Sequence, residues 1–264
     1  MLRIYATLLR MGWAIVMEYR AQIVIWMTNS LLTIVFMLVW LSISRDGPIN
    51  GYESADFVAY FIVAWVVRNF TAVWASWELD YAIREGRLSP MLLRPLHPIH
   101  HEIAINWAEK GIRLFLVLPL AALGLVIWPE AAARLDWSLL NIALFLVSLA
   151  LAWLILFMSD YLLGILAFWT TQATAFVQGF FGLRLLLSGT VMPLAMFPAA
   201  LQQVLRYTPF PYMLHFNVDI AMGRVRGEEL LIGLTLQLAW ALTCTALVHL
   251  LWRAAIRSYS AVGA

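Results

Sequence analysis

The chain has 264 residues, of which 63% are hydrophobic and 12% charged, with a formal net charge of +2 and a mean hydropathy of +0.84. Soluble domains run nearer half apolar and a quarter charged, so too few polar residues are present to clothe a core in water, and lipid is the implied solvent. So small a net charge carries no signature of nucleic-acid binding, and the single cysteine, Cys244, cannot close an internal disulfide.

Backbone groups in lipid must be satisfied within the protein, which leaves helices or a closed barrel. Long unbroken apolar runs, rather than alternating ten-residue segments, choose helices. The expected fold is an all-α integral membrane protein with six transmembrane helices in one domain over 1–264. Residues 1–20 place Ile4, Leu8, Met11, Ile15 and Tyr19 on one stripe, off which Arg3, Arg10 and Arg20 fall. That pattern predicts an amphipathic helix lying in the membrane interface, the alternative being a frayed terminus. The same residues are too mixed for a cleavable signal peptide.

Spans are expected at 23–43, 57–77, 103–128, 137–158, 163–188 and 230–252. Turn residues Gly47, Pro48, Asn50 and Gly51 follow the first, and Asp160 marks a very short turn between the fourth and fifth. Two longer semi-polar segments remain, 78–102 and 189–229. With the N-terminus inside, ten basic residues fall on cytoplasmic segments and five outside, while Arg68 and Arg184 lie within spans. The positive-inside rule therefore predicts both termini cytoplasmic, 78–102 cytoplasmic and 189–229 external.

No G-x-x-x-x-G-K-[ST] run is present to cradle phosphates, and the only lysine sits in Ala108-Glu109-Lys110-Gly111. Nothing in the sequence marks a catalytic residue for nucleotide hydrolysis. ATP-driven work would need an ATPase supplied by another chain. His97, His100, His101 and Glu102 are legitimate ligand types, but four of them within six residues, with Pro98 between, match no metal-ligand spacing. No metal site is expected.

The most informative stretch is Arg84-Glu85-Gly86-Arg87-Leu88-Ser89-Pro90-Met91-Leu92-Leu93-Arg94-Pro95-Leu96-His97-Pro98. Gly86 can end a helix, and the prolines fix the path of the backbone. A short apolar ridge between charges suits either a partner's groove or the lipid headgroups. In the fifth span Thr171, Thr174, Ala175, Gln178 and Gly182 form a small and polar stripe with Phe168, Trp169, Phe176, Phe180 and Phe181 around it. Such a stripe serves as a packing seam or a solute contact. Arg68 sits near the centre of the second span beside Asn69, where an Arg costs about 2.5–3.5 kcal/mol on insertion scales. It must face protein or water, as a pathway residue or in a structural ion pair. Arg184, nearer a span end, can snorkel.

The run REGRLSPMLLRPLHP resembles the cytoplasmic loop of ABC type-2 permeases, the six-span exporter subunits. It is close to a branch in which one ATPase accompanies two related permeases. The segment from Leu185 to Phe216 is similar to the family's external signature, carried by Ser188, Gly189, Pro193, Phe197, Pro198, Pro209 and Tyr212. The tail RSYSAVGA resembles the branch's ending. The resemblance implies that Arg84, Glu85, Gly86, Arg87, Leu88, Pro90, Leu92, Leu93, Arg94 and Pro95 belong to a coupling helix docking on the ATPase. It further implies two ATPase subunits carrying ATP and magnesium, no cofactor in this chain, a second permease copy or a related permease, and external helices that re-enter the bilayer. A pathway lined by the first, second and fifth spans would involve Arg68, Asn69, Thr171, Thr174, Gln178 and Phe181. The implied setting is the bacterial plasma membrane, and the implied activity is export of amphipathic or drug-like compounds, a cationic viologen type being one class. Rival readings are an intramembrane enzyme using Asp160 or the histidines, and a non-transporting scaffold.

Overall fold

A computed structural model describes residues 2–18, 21, 25, 28, 31–170 and 173–259. The first half of the expected first span, Thr171 and the end of the C-terminal tail lie outside the described residues. The described residues form helices, with no named strand among them.

Helix α1 spans Leu2–Glu18 and lies along α6, which spans Ile99–Ile127. Gly12 permits the approach, since a Cβ there would meet the Ala104 carbonyl at 3.2 Å. The packed face is Leu8, Gly12, Ile15 and Val16, while Ile4 and Met11 point outward. The face is thus rotated from the predicted stripe, because a small residue admits a neighbouring helix where a large one faces the surroundings.

Helix α2, Leu32–Ile43, covers the second half of the expected first span. A tight turn at Asn50-Gly51, both with positive φ, pairs Ile49 with Tyr52 and feeds α3, Ser54–Thr71. Glu53 and Asp56 form a capping box at the start of α3. This helix is buried on almost every face, with Phe57, Tyr60, Phe61, Ala64 and Val67 all within the core.

The second span differs from the prediction. The chain breaks at residues 72–74 and restarts as α4, Ala75–Arg84. Gly86, at φ +70°, follows the end of α4, and α5 spans Leu88–Leu92. Helix α6 begins at Ile99, so His100, His101 and Glu102 lie on a helix rather than in a polar loop.

A short α7, Pro129–Ala132, leads to α8, Leu139–Ile165, which Ser138 caps. The expected turn at Asp160 is absent: α8 passes through it and continues as a 3₁₀ turn, Leu166–Phe168. The carboxylate is satisfied by a neighbouring helix, so it does not force the chain out to water. Helix α9, Ala173–Leu187, follows. The segment before the last span folds as α10 (Ala199–Leu205), α11 (Phe210–Met213) and α12 (His215–Ala221), and α13 covers Gly227–Ser258.

Among the described residues, four helical stretches are long and apolar enough to cross a membrane: Ser54–Arg84, Ile99–Ile127, Leu139–Phe168 and Gly227–Ser258. They hold 29 to 32 residues, about 45 Å of helix, and so exceed a hydrocarbon core of about 30 Å. Ala173–Leu187 is a shorter apolar helix. Two apolar cores form around α8, one with α4 and α13, the other with α3 and α6.

Candidate functional site

The break in the second span frees backbone groups inside an apolar region, and two helices, α6 and α8, supply partners for them. Asn106 Nδ2 of α6 donates to the Ala72 carbonyl at 2.9 Å, and Lys110 Nζ reaches the same oxygen at 3.5 Å. Lys110 also donates to Asn106 Oδ1 at 2.7 Å, as does Trp153 Nε1 of α8 at 2.8 Å. On the other side of the break, Ser76 donates its backbone N–H to Asp160 Oδ2 at 2.8 Å and its hydroxyl to Oδ1 at 3.0 Å. Asp160 therefore caps α4 from another helix, as an anion at a helix N-terminus should. Gly164, one turn along α8, brings the two helices together: a Cβ there would lie 2.9 Å from Ser76 Cα.

Lys110 is 2% exposed. Phe70, Trp107 and Trp153 surround its ammonium, with ring centroids 5.5, 5.9 and 5.6 Å from Nζ. Cation–π attraction of this kind strengthens when desolvated.

A cavity of about 280 Å³ opens beside the break. Its polar lining includes Arg68, Asn69, Arg113, Asp160, Gln178 and Arg184, with the hydroxyl residues Thr71, Ser188 and Thr190. Its apolar walls come from α8, α9 and the α11–α12 junction, and Trp77 and Phe181 at its edge are 44% and 41% exposed. Arg113 is held by Glu109 at 2.5 Å. Arg68 donates to Thr33 Oγ1 of α2 at 3.1 Å, and Arg184 stacks over Phe181 with 5.2 Å from Cζ to the ring centroid.

Of the pathway residues expected from sequence, Arg68, Asn69, Gln178 and Phe181 share this cavity. Thr174 is half-buried and does not line it, and Thr171 lies outside the described residues. Arg113, Asp160, Arg184, Trp74 and Ser188 line it as well, and none was expected to. The available signal was that Asn106, Lys110, Arg113 and Asp160 interrupt apolar runs, and groups of that kind in a membrane pair with one another.

The loop after α4 divides into anchors and exposed residues. Leu88 is fully buried in the core that α8 forms with α4 and α13, and Ser89 Oγ lies 2.8 Å from the Tyr259 hydroxyl. Leu92 and Gly86 are half-buried. Arg84, Glu85, Arg87, Pro90, Leu93, Arg94 and Pro95 are exposed, Leu93 by 88%. Arg84 pairs with Asp80 at 3.0 Å, and Arg87 lies over the Tyr81 ring at 4.7 Å. His97 packs on Trp252 at 4.5 Å between ring centroids, and its Nδ1 accepts from the Ile99 N–H. Burial, with His100 and His249 nearby, pushes the His97 imidazole down to about 4. His100 Nδ1 bonds the Tyr5 hydroxyl, so His97 and His100 have different hydrogen-bond partners although their rings meet edge to face.

The segment after α9 is held to α3. Gly189 has φ +92°, and its carbonyl accepts the Tyr60 hydroxyl at 2.8 Å. The Ser188 carbonyl accepts the His215 N–H at 3.0 Å. Pro193 starts a 3₁₀ turn, Phe197 and Pro198 lead into α10, and Pro209 precedes α11. Tyr212 donates to the Arg206 carbonyl at 2.8 Å, and burial holds its phenol up at about 12, protonated and able to donate. Nearby, Arg224 pairs with Asp56 at 3.0 Å and lies over Tyr52 at 3.7 Å.

No curated protein matches the chain. A family model described as ABC-2 family transporter protein matches residues 24–263, from the first span to the C-terminal tail. With a match of that extent, and with four helices among the described residues long and apolar enough to cross a membrane, the chain belongs to the ABC-2 transporter family, as a membrane-embedded, non-catalytic subunit of the kind that works with an ATPase.

Proposed function

We propose that the chain is the permease subunit of an ATP-driven exporter, and the family match over residues 24–263 carries that reading. Six spans follow if α2 with the residues before it, α3–α4, α6, α8, α9 and α13 each cross once. The charge count then sets both termini and the α4–α6 loop in the cytoplasm of a bacterial inner membrane. Two ATPase subunits, with their ATP and magnesium, dock on the exposed side chains of that loop. A second permease copy or a related permease completes the pathway.

The geometry supports a route for coupling. The exposed loop is joined through α4 to the break at 72–74, which forms one wall of the cavity. Movement of the loop by the ATPase tilts α4 about the break and reshapes that cavity, exposing it alternately to the two sides. Transport is driven only if the solute binds the two states with different affinity. Both Asp160 oxygens are engaged by Ser76, which leaves it unsuited to the enzyme reading.

Inverted membrane vesicles holding the chain with its genomic ATPase test this. ATP-dependent accumulation of an amphipathic dye, lost when Arg87 and Arg94 are both changed to Glu, is expected. ATP hydrolysis without accumulation of any dye, or accumulation only in right-side-out vesicles, contradicts export.

A further inference from the structure

The charges of the cavity beside the helix break do not balance. Arg113 is neutralised by Glu109, at 2.5 and 3.0 Å. Asp160 gives both oxygens to Ser76 and shares the cavity with Arg184 without coming within ion-pair distance of it. Arg68 then has no carboxylate within ion-pair distance among the described residues, and it donates instead to one hydroxyl, that of Thr33, at 3.1 Å. Lys110, buried behind Ala72 and outside the lining itself, is a second cation with no carboxylate within ion-pair distance among them. Guanidiniums offer five donors in a fork that fits a carboxylate, sulfonate or phosphate. Holding such cations at membrane depth is costly unless an anion joins them. The remaining walls are apolar, from Leu156, Val177, Phe180, Leu185 and Met213. The volume, about 280 Å³, sits just under the range of roughly 300–1,000 Å³ usual for ligand pockets. It holds a headgroup and the start of an apolar body, with Trp77 and Phe181 at the exposed edge.

We propose that this cavity binds an amphipathic organic anion, a carboxylate, sulfonate or phosphate on an apolar body, with its charged end on Arg68 and Arg184. The inference rests on the permease reading for its meaning, since the anion is then the exported solute or a lipid headgroup. It reverses the sign of the cationic class implied by resemblance. An Arg-lined cavity repels a viologen.

The test is equilibrium binding to the purified full chain in a neutral detergent, without ATPase or nucleotide. Dansyl-undecanoate and the matched dansyl-undecyl-trimethylammonium are titrated, and energy transfer from tryptophan is read. The anion should bind about tenfold tighter than the cation, and Arg68→Gln or Arg184→Gln should each remove about five- to tenfold of that preference. Arg68→Lys and Arg184→Lys keep the charge and should retain the preference, which separates charge from folding. Arg253→Gln, at an exposed position away from the cavity, should change nothing. Equal binding of both probes overturns the proposal, as does a preference that persists in the double Gln variant while its melting temperature matches the parent. Native mass spectrometry assigns the source. Phosphatidylglycerol that copurifies and is lost in the double Gln variant marks a lipid headgroup, whereas a probe that phosphatidylglycerol nanodiscs do not displace marks a free solute. Failure of the permease reading shows separately, as loss of ATPase recovery with the charge preference intact.

Discussion

Asp160, on α8, accepts both the backbone N–H and the hydroxyl of Ser76, at 2.8 and 3.0 Å, and so caps the helix that restarts after the break in the second span. The pair lies 84 positions apart in the chain. It fixes where α4 begins, and through α4 it fixes the exposed loop.

Asp160→Ala leaves the Ser76 N–H without its acceptor in a buried site, at a cost of about 1–3 kcal/mol. Asp160→Asn keeps an acceptor and should cost less. Gly164→Ala forces a Cβ against the Ser76 backbone and should destabilise as well, less than additively with Asp160→Ala, because both act on the same contact. Thermal unfolding of the detergent-solubilised chain, followed by tryptophan fluorescence, checks the order Ala below Asn below parent.

The loop should separate by burial. Leu88→Ala empties a fully buried site and should cost about 2–5 kcal/mol of stability. Leu93→Ser, at an exposed residue, should leave the melting temperature within error and reduce ATPase recovery. Reversed behaviour of the two variants would show that the docking surface lies elsewhere.

The helical, membrane-embedded character was legible in the sequence and the break was not. Long apolar runs announce helices because lipid leaves the backbone only helices or a closed barrel, and a barrel would need alternating segments. The stretch from Asn69 to Trp77 holds no Gly or Pro, so periodicity runs straight through residues 72–74. The break is stabilised from outside, by Asn106, Lys110 and Asp160, and a local pattern cannot see partners so far along the chain. Asp160 reads as a turn for the same reason: a charge ends an apolar run unless another helix satisfies it. Arg68 and Gln178 were singled out as polar groups within spans, and they do meet in one cavity. Arg184, read as snorkelling, lines that cavity too, in common with Arg68 and Asn69 of α3 and Asp160 of α8.

Lys110→Met should test the aromatic cage. Methionine matches the length of the aliphatic stem and removes the buried charge, so stability should change by under about 1.5 kcal/mol in either direction. Lys110→Ala leaves a cavity among Phe70, Trp107 and Trp153 and should cost about 2–4 kcal/mol. If both variants melt alike, the cage does not pack as described.

The His97 imidazole titrates at about 4 in the folded chain, below its unfolded value of about 6.5. Between those values the unfolded chain binds the extra proton, so stability is full above pH 6.5 and falls as pH drops toward 4. The ring is half-exposed, which limits the effect to about 1–2 kcal/mol after solvent screening. His97→Gln should flatten this part of the pH profile. His100 and His249 lie near the ring, so the difference between variant and parent, rather than the parent alone, isolates His97.

The most direct test of the account is recovery of the ATPase with the tagged chain from a mild detergent extract of cells expressing both. Recovery should be strong for the parent, lost for Arg87→Glu with Arg94→Glu, and retained for Arg253→Glu, with all three chains melting alike. Equal recovery in the loop variant, or none with the well-folded parent, would contradict a permease driven through residues 84–95.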